Sequence, residues 1–251
     1  MPKRLLLLAA VAAIVAATWG IHARAARSRM GLLPNTTLWA WQRPEKLSFI
    51  GQQKTAVAVL AETITLTSPV KFERRNQPIS APDGAGYIAV VRIQAGQNAD
   101  LSATTRAHVA ESIAGFAANP HTKAVQIDFD ATVSQRDFYR ALLKDLRARL
   151  PQNMPLSITA LVSWCEGDDW IRDLPVDEAV PMYFRMGADE QNIRRSHMDV
   201  KKLREPLCRT SVGVSLDEPW PRFGTGTRVY AFASAAWTEA DYQRTMERLA
   251  R

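Results

Sequence analysis

The chain has 251 residues and a mass of 27.9 kDa, enough for one large domain or two small ones. At 47% hydrophobic and 23% charged residues it is neither a disordered tail nor a polytopic membrane protein. The net charge of +7 invites a nucleic-acid reading, but Lys3, Arg4, Arg24, Arg27 and Arg29 all lie in the first 30 residues, which hold no acidic residue, and the remainder carries only +2. Binding DNA or RNA requires clustered Lys and Arg to displace counterions, so nucleic acid is not expected as a partner.

The chain opens on an export-type leader. Lys3 and Arg4 form a short basic start, and residues 5–21 are an apolar run of about 17 residues rich in Leu, Ala, Val and Ile. Ala23-Arg24-Ala25 offers a small-x-small cleavage site. The run is also near the lower limit for a spanning helix. Residues 1–25 are therefore read as a signal peptide or an inner-membrane anchor, 26–36 as a linker, and 37–251 as the folded domain, placed in the periplasm or secreted. Cys165 and Cys208 are the only cysteines, and an even number in an exported chain favours one bridge. Two buried free thiols are the alternative. A zinc site would need closer Cys or His pairs, and neither a metal nor a cofactor is expected.

Eight short stretches rich in Val, Ile and aromatic residues follow, at 37–41, 56–66, 87–93, 124–130, 156–164, 179–186, 211–216 and 228–233. Residues 103–118 and 134–150 carry apolar residues at helical spacing, the latter through Phe138, Leu142, Leu143, Leu146 and Leu150, with Ser134 as a plausible N-cap and Pro151 as a stop. Residues 238–249 form a last amphipathic segment. Strands alternating with helices argue parallel pairing, and eight of them argue a single small (β/α)8 barrel of the TIM type. Residues 68–86 and 189–206 lack clean helical periodicity and are read as irregular loops. A doubly wound open sheet is the runner-up, but no Gly-rich phosphate motif follows any strand.

In such a barrel the site lies where the strands end. In the fourth strand a period of 2 sends Val125, Ile127 and Phe129 to one face and Gln126, Asp128 and Asp130 to the other. The apolar set should face the helices, which leaves both carboxylates in the barrel mouth, where burial and mutual repulsion raise a pKa. Asp130, at the rim, is the first candidate for chemistry, with Asp128 beside it and Glu62 and Asp217 as further carboxylates. The alternative is that the aspartates neutralise Arg92 and Arg185; on that reading, losing the deeper Asp128 would leave an unpaired buried cation. Asp177 and Glu178 precede the sixth strand and are read as structural. Trp39, Trp41, Trp164 and Trp237 end or follow strands and could offer flat apolar faces to sugar rings, with Arg92 and Arg185 taking polar groups. Serine-hydrolase chemistry lacks its G-x-S-x-G elbow, and a cysteine nucleophile lacks a neighbouring base.

The blocks Val125-Gln126-Ile127-Asp128-Phe129-Asp130-Ala131-Thr132, Leu156-Ser157-Ile158-Thr159-Ala160-Leu161-Val162-Ser163-Trp164-Cys165 and Leu174-Pro175-Val176-Asp177-Glu178-Ala179-Val180-Pro181-Met182-Tyr183 resemble a bacterial domain-of-unknown-function family, number 3142. The resemblance runs from about Trp39 to Trp237 and implies a barrel similar to those of glycoside hydrolases. The fourth strand also resembles the Asp-x-Asp-x-Glu signature of chitinase-type glycosidases, with Asp128 and Asp130 on its aspartates and Thr132 at the acid position. Threonine cannot protonate a glycosidic oxygen. Either another carboxylate serves, or the barrel keeps a sugar cleft without hydrolysis. The expected role is thus a glycan-acting or glycan-binding envelope protein, with a non-catalytic carbohydrate- or partner-binding module as the alternative.

Overall fold

The computed structural model describes residues 29–51 and 54–250. The signal or anchor expected over residues 1–25 lies outside the described residues. Among the described residues, no helix is long and apolar enough to cross a membrane.

Eight parallel strands close on themselves: β1 (Thr36–Ala40), β3 (Thr55–Thr65), β6 (Gly86–Gln94), β7 (Thr122–Asp128), β8 (Leu156–Leu161), β9 (Glu178–Met182), β10 (Ser211–Ser215) and β11 (Arg228–Phe232), with β11 and β3 both pairing to β1. Each lies within or beside one of the eight apolar stretches, and closure leaves the barrel no open edge. Three short strands are additional. Of these, β2 (Glu45–Lys46) and β5 (Ile79–Ser80) pair with each other, while β4 (Lys71–Arg74) lies antiparallel on the end of β3.

The pleat sorts the side chains into two cores. Ala56, Ala58, Leu60, Ile88, Val90, Ala124, Val180 and Tyr230 fill the barrel. Val57, Val91, Val125, Ile127, Ile158, Val212, Val214 and Val229 point outward to the helices. The helical layer comprises α1 (Ala103–Gly115), α2 (Arg136–Arg149), the short α3 (Val162–Glu166), α4 (Glu190–Ser196) and α5 (Glu239–Leu249). α2 forms because Phe138, Tyr139, Leu142, Leu143 and Leu146 fall on one face, and all five are buried. Its start differs from the Ser134 expectation: Thr132 closes a capping box with Gln135 ahead of a 3-10 turn. The ring is incomplete, since among the described residues no α-helix joins β1 to β3, β3 to β6 or β10 to β11. Pro69, Pro78, Pro82 and Gly84 explain the gap between β3 and β6, because proline both lacks a backbone donor and restrains its predecessor.

The end of the barrel where the strands begin is closed by the chain itself. Residues 29–35, expected as part of the linker, dock there: Met30 and Leu33 are buried, and the Arg228 guanidinium donates to the carbonyls of Met30, Leu33 and Pro34. Asp177 accepts from Arg29 and from the Leu156 amide at the same end, and Glu178 is buried inside against Tyr230, Ser157 and Arg228. Both acids therefore serve the scaffold.

Candidate active site at the barrel mouth

The strand ends converge on a cleft of about 180 Å³ lined by Trp39, Trp41, Arg92, Asp128, Asp130, Thr159, Phe184, Arg185 and Phe232 among others. The register of β7 is as the alternation required, with Ala124 in the barrel core, Ile127 in the outer core and Asp128 on the cleft. Asp128 accepts a 2.9 Å hydrogen bond from Thr159 Oγ1 and faces Arg92 Nη1 at 3.6 Å. Burial pushes its carboxyl above the usual carboxylate range, against the opposing pull of Arg92, and the Asp130 charge adds to the rise. Asp130 lies just past the end of β7, exposed at the rim, and burial by the surrounding wall raises it too, again opposed by Arg92. Two carboxyls raised by burial at one strand end are suited to exchanging a proton with a bound ligand.

Aromatic rings form the rest of the wall. Phe184 and Phe232 stack at 5.3 Å with planes 6° apart, and Trp39 packs 5.8 Å from Phe184. The Trp39 indole is fixed from below: its Nε1 donates to Gln126 Oε1 at 2.8 Å, Gln126 Nε2 donates to Ser157 Oγ, and that hydroxyl donates to Glu178. Gly213 leaves room for the ring, since a Cβ there would stand 2.9 Å from Trp39 Cη2. The Arg92 guanidinium lies 5.8 Å over Trp41, and that of Arg185 lies 5.1 Å over Phe232.

The cleft thus unites Asp128, Asp130, Trp39, Trp41, Arg92 and Arg185, and four other expected residues lie elsewhere. Glu62 is turned outward by a bulge between Leu60 and Glu62, which places it beside outward-facing Val91; there it accepts from Ser112 and pairs with Arg74. Asp217 is exposed beyond β10 and accepts from Ser234 Oγ at 2.6 Å. Trp164 is not on a strand end, because β8 stops at Leu161 and α3 begins; its ring packs edge-on against Trp170 in the outer core. Trp237 is buried behind the mouth, donating Nε1 to the Trp39 carbonyl. Arg185 does not balance Asp128, a task that falls to Arg92 alone among the described residues. Thr159 and Phe232 were missed. Both follow from alternation, Thr159 with Ser157 on β8 and Phe232 with Tyr230 on β11. Phe184 lies past the end of β9, where alternation no longer predicts direction.

Cys165 and Cys208 form the expected disulfide, with α-carbons 6.0 Å apart. It favours an oxidising compartment outside the cytoplasm. Among the described residues, no group of three or more His, Cys, Asp or Glu side chains could hold a metal ion.

A closed barrel of eight parallel strands with helices outside it defines the class: a TIM-type barrel, here with acidic and aromatic residues at its mouth. Residues 83–180 match the family described as a domain of unknown function (DUF3142). Among solved structures the chain is similar to the chitinase domain of the spore coat protein CotE from Clostridium difficile, with 13% identity and a TM-score of 0.42, covering 60% of this chain and 50% of that one. The chain thus spans about half the length of that domain. No curated protein matches it.

Proposed function

We propose that this protein is exported and binds a cell-envelope or extracellular glycan in the cleft at the strand C-termini, acting on it through Asp130. The observation that carries the reading is the combination in one cleft of two carboxyls raised by burial with the Trp39, Trp41, Phe184 and Phe232 rings. Aromatic faces suit the C–H faces of sugar rings, and carboxyls suit their hydroxyls or a glycosidic oxygen. The cleft is smaller than the roughly 300–1,000 Å³ of pockets that engulf whole drug-sized ligands. It therefore suits one ring or a chain end.

Binding without hydrolysis is the second reading, favoured by a specific feature. The position two residues past Asp130 is Thr132, whose side chain and amide are spent on the capping box before α2. Glu62 and Asp217 lie away from the cleft, which leaves exposed Asp189 as the remaining carboxylate lining it. A glycan panel probed with the full chain, scoring affinity and release of reducing ends separately, tests both readings. Binding with release that vanishes in Asp130→Asn supports an enzyme, and binding with no release supports the module. A panel with no binding would overturn the glycan reading.

A further inference from the structure

Arg185 is held in the mouth with no acceptor for its guanidinium among the described residues. Its backbone has φ 51°, a left-handed conformation that is costly for a residue bearing a Cβ, whereas two positions on the similar φ of 63° falls on Gly187. The amide of Arg185 donates to Glu218 Oε1 at 3.1 Å, and its guanidinium carbon lies 5.1 Å from the centre of the Phe232 ring. Among the described residues, no carboxylate or carbonyl accepts from that guanidinium. Strain of this kind persists where the surroundings enforce it, and it clusters at ligand sites. Here it aims a planar cation into the cleft.

Arg92 lines the same cleft, and its approach to Asp128 at 3.6 Å is an ion pair rather than a hydrogen bond, so its donors too are left open among the described residues. A guanidinium donates only, and its fork matches a group that only accepts through paired oxygens: a carboxylate, sulfate or phosphate. A neutral hydroxyl is both donor and acceptor and would use one prong of the fork. Of the three carboxyls lining the cleft, Asp128 is offset by Arg92, while Asp130 at the rim and Asp189 are both exposed and screened by solvent.

We infer that the cleft takes an acidic sugar, a ring whose anionic substituent is held by Arg185 with Arg92 behind it while its apolar face meets Trp39, Trp41 and Phe184. The inference rests on the glycan reading above and names the substrate class of the same site.

Matched probes test it: oligogalacturonate against its methyl ester, and 6-sulfated against unsulfated N-acetylglucosamine oligomers, titrated into the full chain and into Arg185→Gln and Arg185→Lys. The charged member of at least one pair should bind tenfold or more tighter, and the pair showing the preference tells carboxylate from sulfate. Arg185→Gln should weaken that member roughly ten- to hundredfold, weaken the neutral member several-fold less, so that the preference for charge collapses, and keep the melting temperature, since the residue is exposed. Arg185→Lys should fall between, keeping charge but losing the fork. Equal affinity within both pairs, untouched by Arg185→Gln, would sink the acidic-sugar inference and leave the glycan reading standing. No binding of any member would bring down both.

Discussion

Asp128 and Asp130 stand two positions apart on one strand end, yet burial separates their roles. The rim position of Asp130 leads us to expect that Asp130→Asn abolishes ligand binding or turnover while moving the melting temperature little, measured by calorimetry beside a binding titration. For Asp128 the sequence alone suggested a loss of about 3–5 kcal/mol from an abandoned buried cation. The structure changes that expectation. The Arg92 side chain is 38% exposed, so water replaces the lost partner, and asparagine can still accept from Thr159. Asp128→Asn should therefore alter stability by no more than about 1 kcal/mol at pH 7, a value that denaturant unfolding resolves. Both carboxyls hold their protons more tightly folded than unfolded. Their contribution to stability is full below the ordinary carboxylate pKa near 4 and is lost as pH rises through the raised folded values. Relative to the Asp128→Asn/Asp130→Asn double variant, wild type should lose melting temperature as pH rises above about 4; a relative gain would mean that the carboxyls are depressed, not raised.

At the level of elements, β10 and α3 set the shape of the cleft. Gly213 of β10 admits the Trp39 ring, and a methyl at 213 would meet Trp39 Cη2 at 2.9 Å, Cζ3 at 3.3 Å and the Met182 backbone at 3.5 Å. The indole cannot swing aside, being tied to Gln126 and packed on Tyr230. Gly213→Ala should cost about 1–3 kcal/mol through overpacking and also weaken the ligand, because the wall itself moves. A full-affinity variant with an unchanged melting temperature would show that the ring is free to shift. α3 begins with Val162 and Ser163, which line the cleft, and its Cys165 is bridged to Cys208 in the turn before β10. Replacing both cysteines by serine should cost about 2–4 kcal/mol, with ligand affinity falling as α3 loses its tether. Protein purified without reductant should show no alkylatable thiol.

For the whole molecule, the leader expected from the sequence and the disulfide point the same way. A fusion of residues 1–30 to a reporter enzyme active only outside the cytoplasm should be active, and a silent fusion with the protein soluble inside the cell would overturn export. The barrel is asymmetric: α1 and α2 cover β6 to β8, whereas β3 to β6 is spanned by short strands and loop. Its mouth nevertheless closes, because closure depends on the strands, and β1 pairs on both sides.

The eight strands and their directions were legible because strand-forming residues and the alternation of period 2 are local properties, and a closed parallel barrel is the arrangement that gives eight such strands partners. Asp128, Asp130, Trp39, Trp41 and Arg92 were legible for the same reason, lying on strands whose alternation runs unbroken to the mouth or just past it. Alternation stops being informative where the chain departs from it. The bulge before Glu62 inserts one residue and flips the carboxylate to the helices, and the early end of β8 turns Trp164 from a strand tip into part of α3. Neither event has a local signature strong enough to read. The bulge is settled by pairing with β4 and β6, and the helix by packing against Trp170 and the disulfide. The sequence by itself therefore determined which strands exist and which faces they bury. Only the tertiary structure decided which side chains share the cleft, because that depends on register and packing between segments far apart in the chain.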